Sequence, residues 1–217
     1  ALQYRGAVAR VPSRGRRRVA AMSHRIRSAL AAHRDELVAA TAVYAGTFLL
    51  GFVAYVAFGA RVDVAGYESS VASASAAAGV GHFTFLHILG NNAVVVGVSA
   101  AGGLALGVPT LVNTLFNGFV MGVLGGVVAT AASPDVALAA VLPHVIVEVP
   151  AFLLAAAAGF KLPRALGSYL VGNTEYILDR RTVRDSAVVA VTAVALVVAA
   201  AVVEVVITPW VVDLVVS

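Results

Sequence analysis

The chain has no cysteine, one lysine, one tryptophan and two methionines, and only 12% of its 217 residues are Asp, Glu, Lys or Arg. Without cysteine there is no disulfide, no thiolate nucleophile, no Cys-ligated zinc and no iron–sulfur cluster. The shortage of charge excludes more. A soluble domain carries about 25% charged and 45–50% apolar residues, whereas here 60% are hydrophobic and mean hydropathy is +0.94. So few charges do not wrap a water-facing surface around that much apolar side chain, and disorder needs the opposite composition. The chain reads as an all-α integral membrane protein.

What is present is five apolar runs near or above the roughly 20 residues that cross a hydrocarbon core. They cover 37–60, 83–106, 108–132, 136–160 and 187–212. Nine of the fifteen basic residues precede the first run: Arg5, Arg10, Arg14, Arg16, Arg17, Arg18, Arg25, Arg27 and Arg34. Five more, Lys161, Arg164, Arg180, Arg181 and Arg184, separate the fourth run from the fifth. With five spans those segments share a side, and the other side holds only Arg61, beside Asp63, Glu68, Asp135 and Asp213. The positive-inside rule places the N-terminus in the cytoplasm and the C-terminus outside a plasma membrane. Residues 1–36 form a basic juxtamembrane segment and 37–217 a five-helix membrane domain.

Val19, Met22, Ile26 and Leu30 recur at three- and four-residue steps opposite arginines. That spacing predicts an amphipathic basic helix lying on the anionic inner leaflet, with Arg16, Arg17, Arg18, Arg25 and Arg27 toward the headgroups. The cytoplasmic stretch 163–184, between helices four and five, is amphipathic too, with Leu166, Tyr169, Leu170, Tyr176 and Ile177 among charges. The outer loop at 63–81 is rich in Ser and Ala around Tyr67-Glu68-Ser69-Ser70.

The informative residues are polar groups inside the apolar runs: Asn91 and Asn92 in the second, Asn113 and Asn117 in the third, His144 and Glu148 in the fourth. The last two pairs are four residues apart and share a helix face. An ionised carboxylate at the bilayer centre costs about 2.5–3.5 kcal/mol or more, so Glu148 needs a proton, a partner or water. The sequence predicts a buried polar node of Asn91, Asn92, Asn117, His144 and Glu148 where helices two, three and four meet. Gly103 with Gly107 and Gly118 with Gly122 form GxxxG steps that let backbones approach. Pro143 and Pro150 bracket the His–Glu pair and predict a bent or locally unwound helix there. The node has two readings: interhelical glue at about 0.6 kcal/mol per bond, or a site on a transport route.

Catalytic signatures are missing. There is no HExxH, no GxSxG, and no Walker or dinucleotide-binding loop. No Glu-Glu pair occurs, so the paired-glutamate motif of intramembrane CAAX-type proteases is lacking. No enzyme activity, metal, cofactor or nucleic-acid partner is expected.

Taken in series, the motifs are Phe83-x4-Ile88-x2-Asn91-Asn92, Gly102-Gly103 with Gly107, Leu115-Phe116-Asn117-Gly118 with Gly122, Pro143-His144-x3-Glu148-x-Pro150-Ala151, and Gly159. This series resembles the stage II sporulation protein M family over about residues 30–215. Val145 departs from the pattern, standing where the family has glycine after Pro-His. The resemblance implies five spans in the topology above. It also implies a scaffold role, since sporulation members localise and assemble a peptidoglycan-degrading machine with partner hydrolases during engulfment. Members also occur in organisms that do not sporulate. The function expected is a non-catalytic scaffold whose partners are the bilayer, membrane or cell-envelope proteins and a second copy of the chain. The alternative is a permease-like subunit moving an ion or small solute past the Asn/His/Glu cluster.

Overall fold

The computed structural model describes residues 14–59 and 85–217. The outer loop at 63–81, the first residues of the second span, and Arg5, Arg10 and Arg61 lie outside the described residues, as do the side chains of Arg14, Arg16 and Arg17. Regular structure among the described residues is entirely helical. α1 is Arg14–Ala32, α2 Arg34–Phe58, α3 Phe85–Ala101 with a 3-10 turn at Gly102–Ala105, and α4 Val108–Thr130. α5 is Pro134–Leu170, α6 Arg180–Val202 with a π-turn at Val203–Ile207, and α7 Thr208–Val216. Five stretches are long and apolar enough to cross a membrane: Arg34–Phe58, Phe85–Ala105, Val108–Thr130, Pro134–Leu170 and Arg180–Val216.

α3 and α4 form a tight hairpin. Leu106 (φ 55°) and Gly107 (φ 78°) are both left-handed, and Pro109 enters the first turn of α4, where no backbone donor is needed. A side chain at Gly107 would also meet Pro163. α5 is central and touches α2, α3, α4, α6 and α7. Its Ala155–Gly159 stretch is buried on every side, which the small side chains permit. Val96 of α3, Ala151, Phe152 and Ala155 of α5, and Ala193 and Val197 of α6 make one apolar cluster. Apolar residues left uncovered by protein, among them Leu49, Leu50, Val53, Phe116 and Ile146, form the surface presented to lipid.

Two expectations change. First, α5 runs through Pro143, Pro150 and Pro163 without unwinding; carbonyls freed by a proline inside a membrane protein are re-satisfied by local adjustment and neighbouring helices. Second, most of the segment at 163–184, expected to be a separate cytoplasmic element, is not one. It continues α5 to Leu170 and begins α6 at Arg180, leaving only 171–179 irregular. At 1.5 Å per residue the 37 residues of α5 reach about 55 Å, well past a hydrocarbon core of roughly 30 Å.

The glycine face of α4, whose partner the sequence left open, meets α2. Gly118 abuts Tyr44 and Thr47, Gly122 abuts Phe48 and Phe52, and Gly126 abuts Tyr55, so the two helices run parallel. Gly51 of α2 answers from the other side, against the Phe119 carbonyl. A Cβ at Gly122 would fall on the backbone carbonyl of Phe48. Sequential helices joined by a short turn pack antiparallel by default, but a groove this deep fits whichever helix offers a matching ridge.

Candidate functional site

The polar residues form three groups rather than one node, two within the spans and one at their ends. In the first, helices two, three and four of the membrane domain (α3, α4 and α5) meet at Ser99, Thr110 and Gly159. Thr110 Oγ1 donates to the Ser99 carbonyl at 2.8 Å, and Asn113 Nδ2 donates to Ser99 Oγ at 2.7 Å and to the Val95 carbonyl at 2.9 Å. Asn117 Nδ2 in turn donates to the carbonyl and Oδ1 of Asn113, at 2.8 and 3.0 Å. A Cβ at Gly159 would collide with the Ser99 carbonyl and Thr110, and one at Gly103 with the Gly159 carbonyl. Glycine is required at this crossing so that the donors reach across.

The second group surrounds Glu148. Its electrostatic neighbours are Glu204, on the π-turn after α6, and Tyr44 of α2; Glu204 is an electrostatic neighbour of His144 too. The Tyr44 hydroxyl and His144 Nδ1 are buried without a hydrogen-bond partner. A π-turn often marks a functional position. Among the described residues no three His, Asp or Glu side chains are placed to hold a metal ion.

Asn91 and Asn92 stand apart. Neighbouring helical residues point about 100° apart, so both amides do not enter one face. Asn92 is half-buried, while Asn91 is exposed and its amide meets His87 one turn earlier at 3.3 Å. No hydrogen bond among the described residues joins Asn91 or Asn117 to His144 or Glu148.

A third group, where α1, α2, α5 and α6 converge, was not singled out from the sequence. Glu36 is 2% exposed and its Oε1 accepts from Lys161 Nζ and Arg164, each at 3.1 Å. Asp35 takes the other arm of Arg164. Lys161 also donates to the Ala32 carbonyl at 2.7 Å, placing a cation at the negative end of α1. His33, fully buried between α1 and α2, lies 2.9 Å from the Ala29 carbonyl through Nδ1 and 3.0 Å from Ser186 Oγ through Nε2. A carbonyl only accepts, so Nδ1 carries the hydrogen and Nε2 accepts from the serine. Burial pushes the His33 pKa down, with Lys161 adding to the effect. A pocket of about 490 Å³ opens beside this group, between Asp35, Lys161, Arg164 and the 171–179 connection. The sequence marks the participants but not their pairing: the sole lysine directly follows the fourth apolar run, and Asp35-Glu36 stands at the head of the first.

A five-span body with these elements fits the motif series read above, and the family described as Stage II sporulation protein M matches residues 37–209. The chain belongs to that family. Its match begins one residue after Glu36, so it includes the first two groups and leaves out His33, Asp35 and Glu36 of the third. An uncharacterised protein of Methanocaldococcus jannaschii is 37% identical over 128 residues, which is 58% of this chain and 72% of that relative. No solved structure matches.

Proposed function

We propose that this member of the family is a non-catalytic plasma-membrane scaffold that holds partner membrane or envelope proteins in place, with its N-terminus in the cytoplasm. The observation that carries the reading is the use of the interior amides. Asn113 and Asn117 donate to backbone and side chains of α3 and α4, which is what helix adhesion requires and what an open solute path does not. Support also comes from the third group, whose ion pairs join α2 to α5 and whose Lys161 and His33 hydrogen bonds tie the end of α1 to the body. The basic residues Arg16, Arg17, Arg18, Arg25 and Arg27 then serve as a membrane-surface contact, and exposed Tyr169, Leu170, Val171 and Tyr176 offer contact area to a partner or a second copy.

A permease-like role draws support from one different observation, the unpartnered Tyr44 hydroxyl and His144 Nδ1 beside Glu148 and Glu204. The two readings separate on Glu148→Ala. A scaffold variant has lower abundance or loses partners in a crosslinking pull-down from native membranes. A permease variant accumulates normally and keeps its partners, but its transport is dead.

A further inference from the structure

Where α1 turns into α2, an open cleft of about 660 Å³ is lined by Leu30 and Ala31 of α1 and by Arg34, Leu37, Val38 and Ala45 of α2. We propose that this elbow binds one anionic phospholipid, with the phosphate on Arg34 and an acyl chain along α2. The proposal rests on α1 lying at the membrane surface, and otherwise stands apart from the scaffold reading.

The order of chemistry along the cleft is that of a lipid. A cation stands at its mouth and an apolar wall follows. From Leu37 to Ala45 the helix rises about 12 Å at 1.5 Å per residue, close to half of a hydrocarbon core of roughly 30 Å. Val38 is 61% exposed, so the wall is not covered by protein. The cleft lies within the range of small-ligand sites, about 300–1,000 Å³.

Charge decides which lipid. Arg34 is exposed and makes no ion pair among the described residues. Its two acidic neighbours are turned the other way, Asp35 onto Arg164 and Glu36 onto Lys161 and Arg164. The guanidinium is therefore uncompensated on the cleft side, and its planar fork matches a phosphate. Arg27, also exposed, precedes Leu30 and Ala31 by three and four residues and shares their side of α1. The elbow is set in advance by His33, held on one side to Ala29 and on the other to Ser186, so binding does not have to order the site.

The test uses the full chain purified in detergent, with retained lipid counted by native mass spectrometry after addition of phosphatidylglycerol or phosphatidylcholine of identical acyl chains. One phosphatidylglycerol per chain is expected to survive, and to bind about fivefold or more tightly than phosphatidylcholine, the factor a single arginine near an anionic headgroup contributes. Arg34→Gln removes that preference and Arg34→Lys retains part of it. Val38→Trp, which fills the cleft, lowers retention with the charge intact. Arg180→Gln, at the exposed start of α6 and outside the cleft, leaves retention unchanged. Thermal melting of each variant establishes that it is folded. Undiminished preference in folded Arg34→Gln overturns the proposal. So does competition by glycerol phosphate as effective as by the whole lipid, which would mean a phosphate site with no acyl wall. The partner pull-down does not depend on Arg34, so failure here leaves the scaffold reading standing.

Discussion

Single side chains carry the tightest constraints where the helices leave the membrane. Glu36 is the common partner of Lys161 and Arg164, and removing one member of a buried ion pair leaves the others without compensation. Glu36→Ala is expected to destabilise toward the low end of roughly 3–5 kcal/mol, since Arg164 keeps access to water; thermal unfolding of the purified protein measures it. Glu36→Gln, which keeps an acceptor, should lose less. His33 introduces a pH dependence of defined sign. Its folded pKa lies below 6.5, so near and below that pH the unfolded chain takes up a proton that the folded chain refuses. Its contribution is complete above pH 6.5 and is lost as pH falls toward the lower, folded value. The melting temperature should drop between about pH 7.5 and 5 and change less in His33→Gln. At the far end of the 171–179 connection, Asp179 caps α6 by accepting from the Thr182 amide at 2.6 Å, and hydrogen bonding from the Thr182 side chain and then its amide holds the carboxyl below the ordinary carboxylate range. Neither the Glu36 pairing nor the His33 bridge was legible in the sequence, because Glu36 lies 125 residues from Lys161 and His33 lies 153 from Ser186.

At the scale of helices, the parallel α2–α4 seam is the most demanding contact. Gly122→Leu places a branched side chain on the Phe48 carbonyl, where backbone rather than a flexible side chain blocks it. The expected loss is at the upper end of about 1–3 kcal/mol for overpacking, read as a lower melting temperature. Gly167→Leu, with open space around it, is the neutral control. α1 makes a different prediction. Val19 and Met22 are exposed on it, as are Arg18, Arg25 and Arg27, while Ala29 is buried against Ala158 and Val189. A peptide of residues 13–36 should become helical on anionic vesicles and release in high salt, each arginine contributing about 1 kcal/mol. Equal binding to neutral vesicles would remove the electrostatic argument. The amphipathic pattern of α1 was legible because it is local. The unbroken course of α5 through three prolines was not, because the neighbours that stabilise it come from other helices.

For the whole molecule, an odd number of crossings puts the termini on opposite sides. The excess of basic residues before the first span and between the last two predicts N-in, C-out. A reporter fused after Ser217 should be active only outside; cytoplasmic activity would refute both the topology and the span count. The architecture also bears on mechanism. α5 touches every other spanning helix, so Glu148 and His144 sit on the element through which any rearrangement would pass. Glu148→Gln should leave abundance and partner capture intact if the carboxyl serves adhesion, because an amide keeps an acceptor and adds donors. Loss of a transport activity in that folded variant would instead assign the Tyr44–His144–Glu148–Glu204 group to a route.

The sequence alone determined what depends on composition summed along the chain: the five spans, the bias of basic residues, and the small-residue face of α4. Gly103 and Gly107, read as a second such step, fall instead in the turn after α3. Transfer into a bilayer is nearly additive residue by residue, so a run of twenty apolar residues declares itself without a partner. Only the tertiary structure decided who meets whom. A GxxxG groove fits several apolar ridges about equally well, and Gly118 and Gly122 found α2 instead of the helix joined to theirs by a two-residue turn. An asparagine inside a span must find a partner, but the amide does not encode which one. Asn113 therefore reached Ser99 while Asn91 stayed with His87. The same holds for charge at the membrane edge, where Glu36 chose Lys161 and Arg164 through proximity that folding alone creates, and left Arg34 without an ion pair among the described residues.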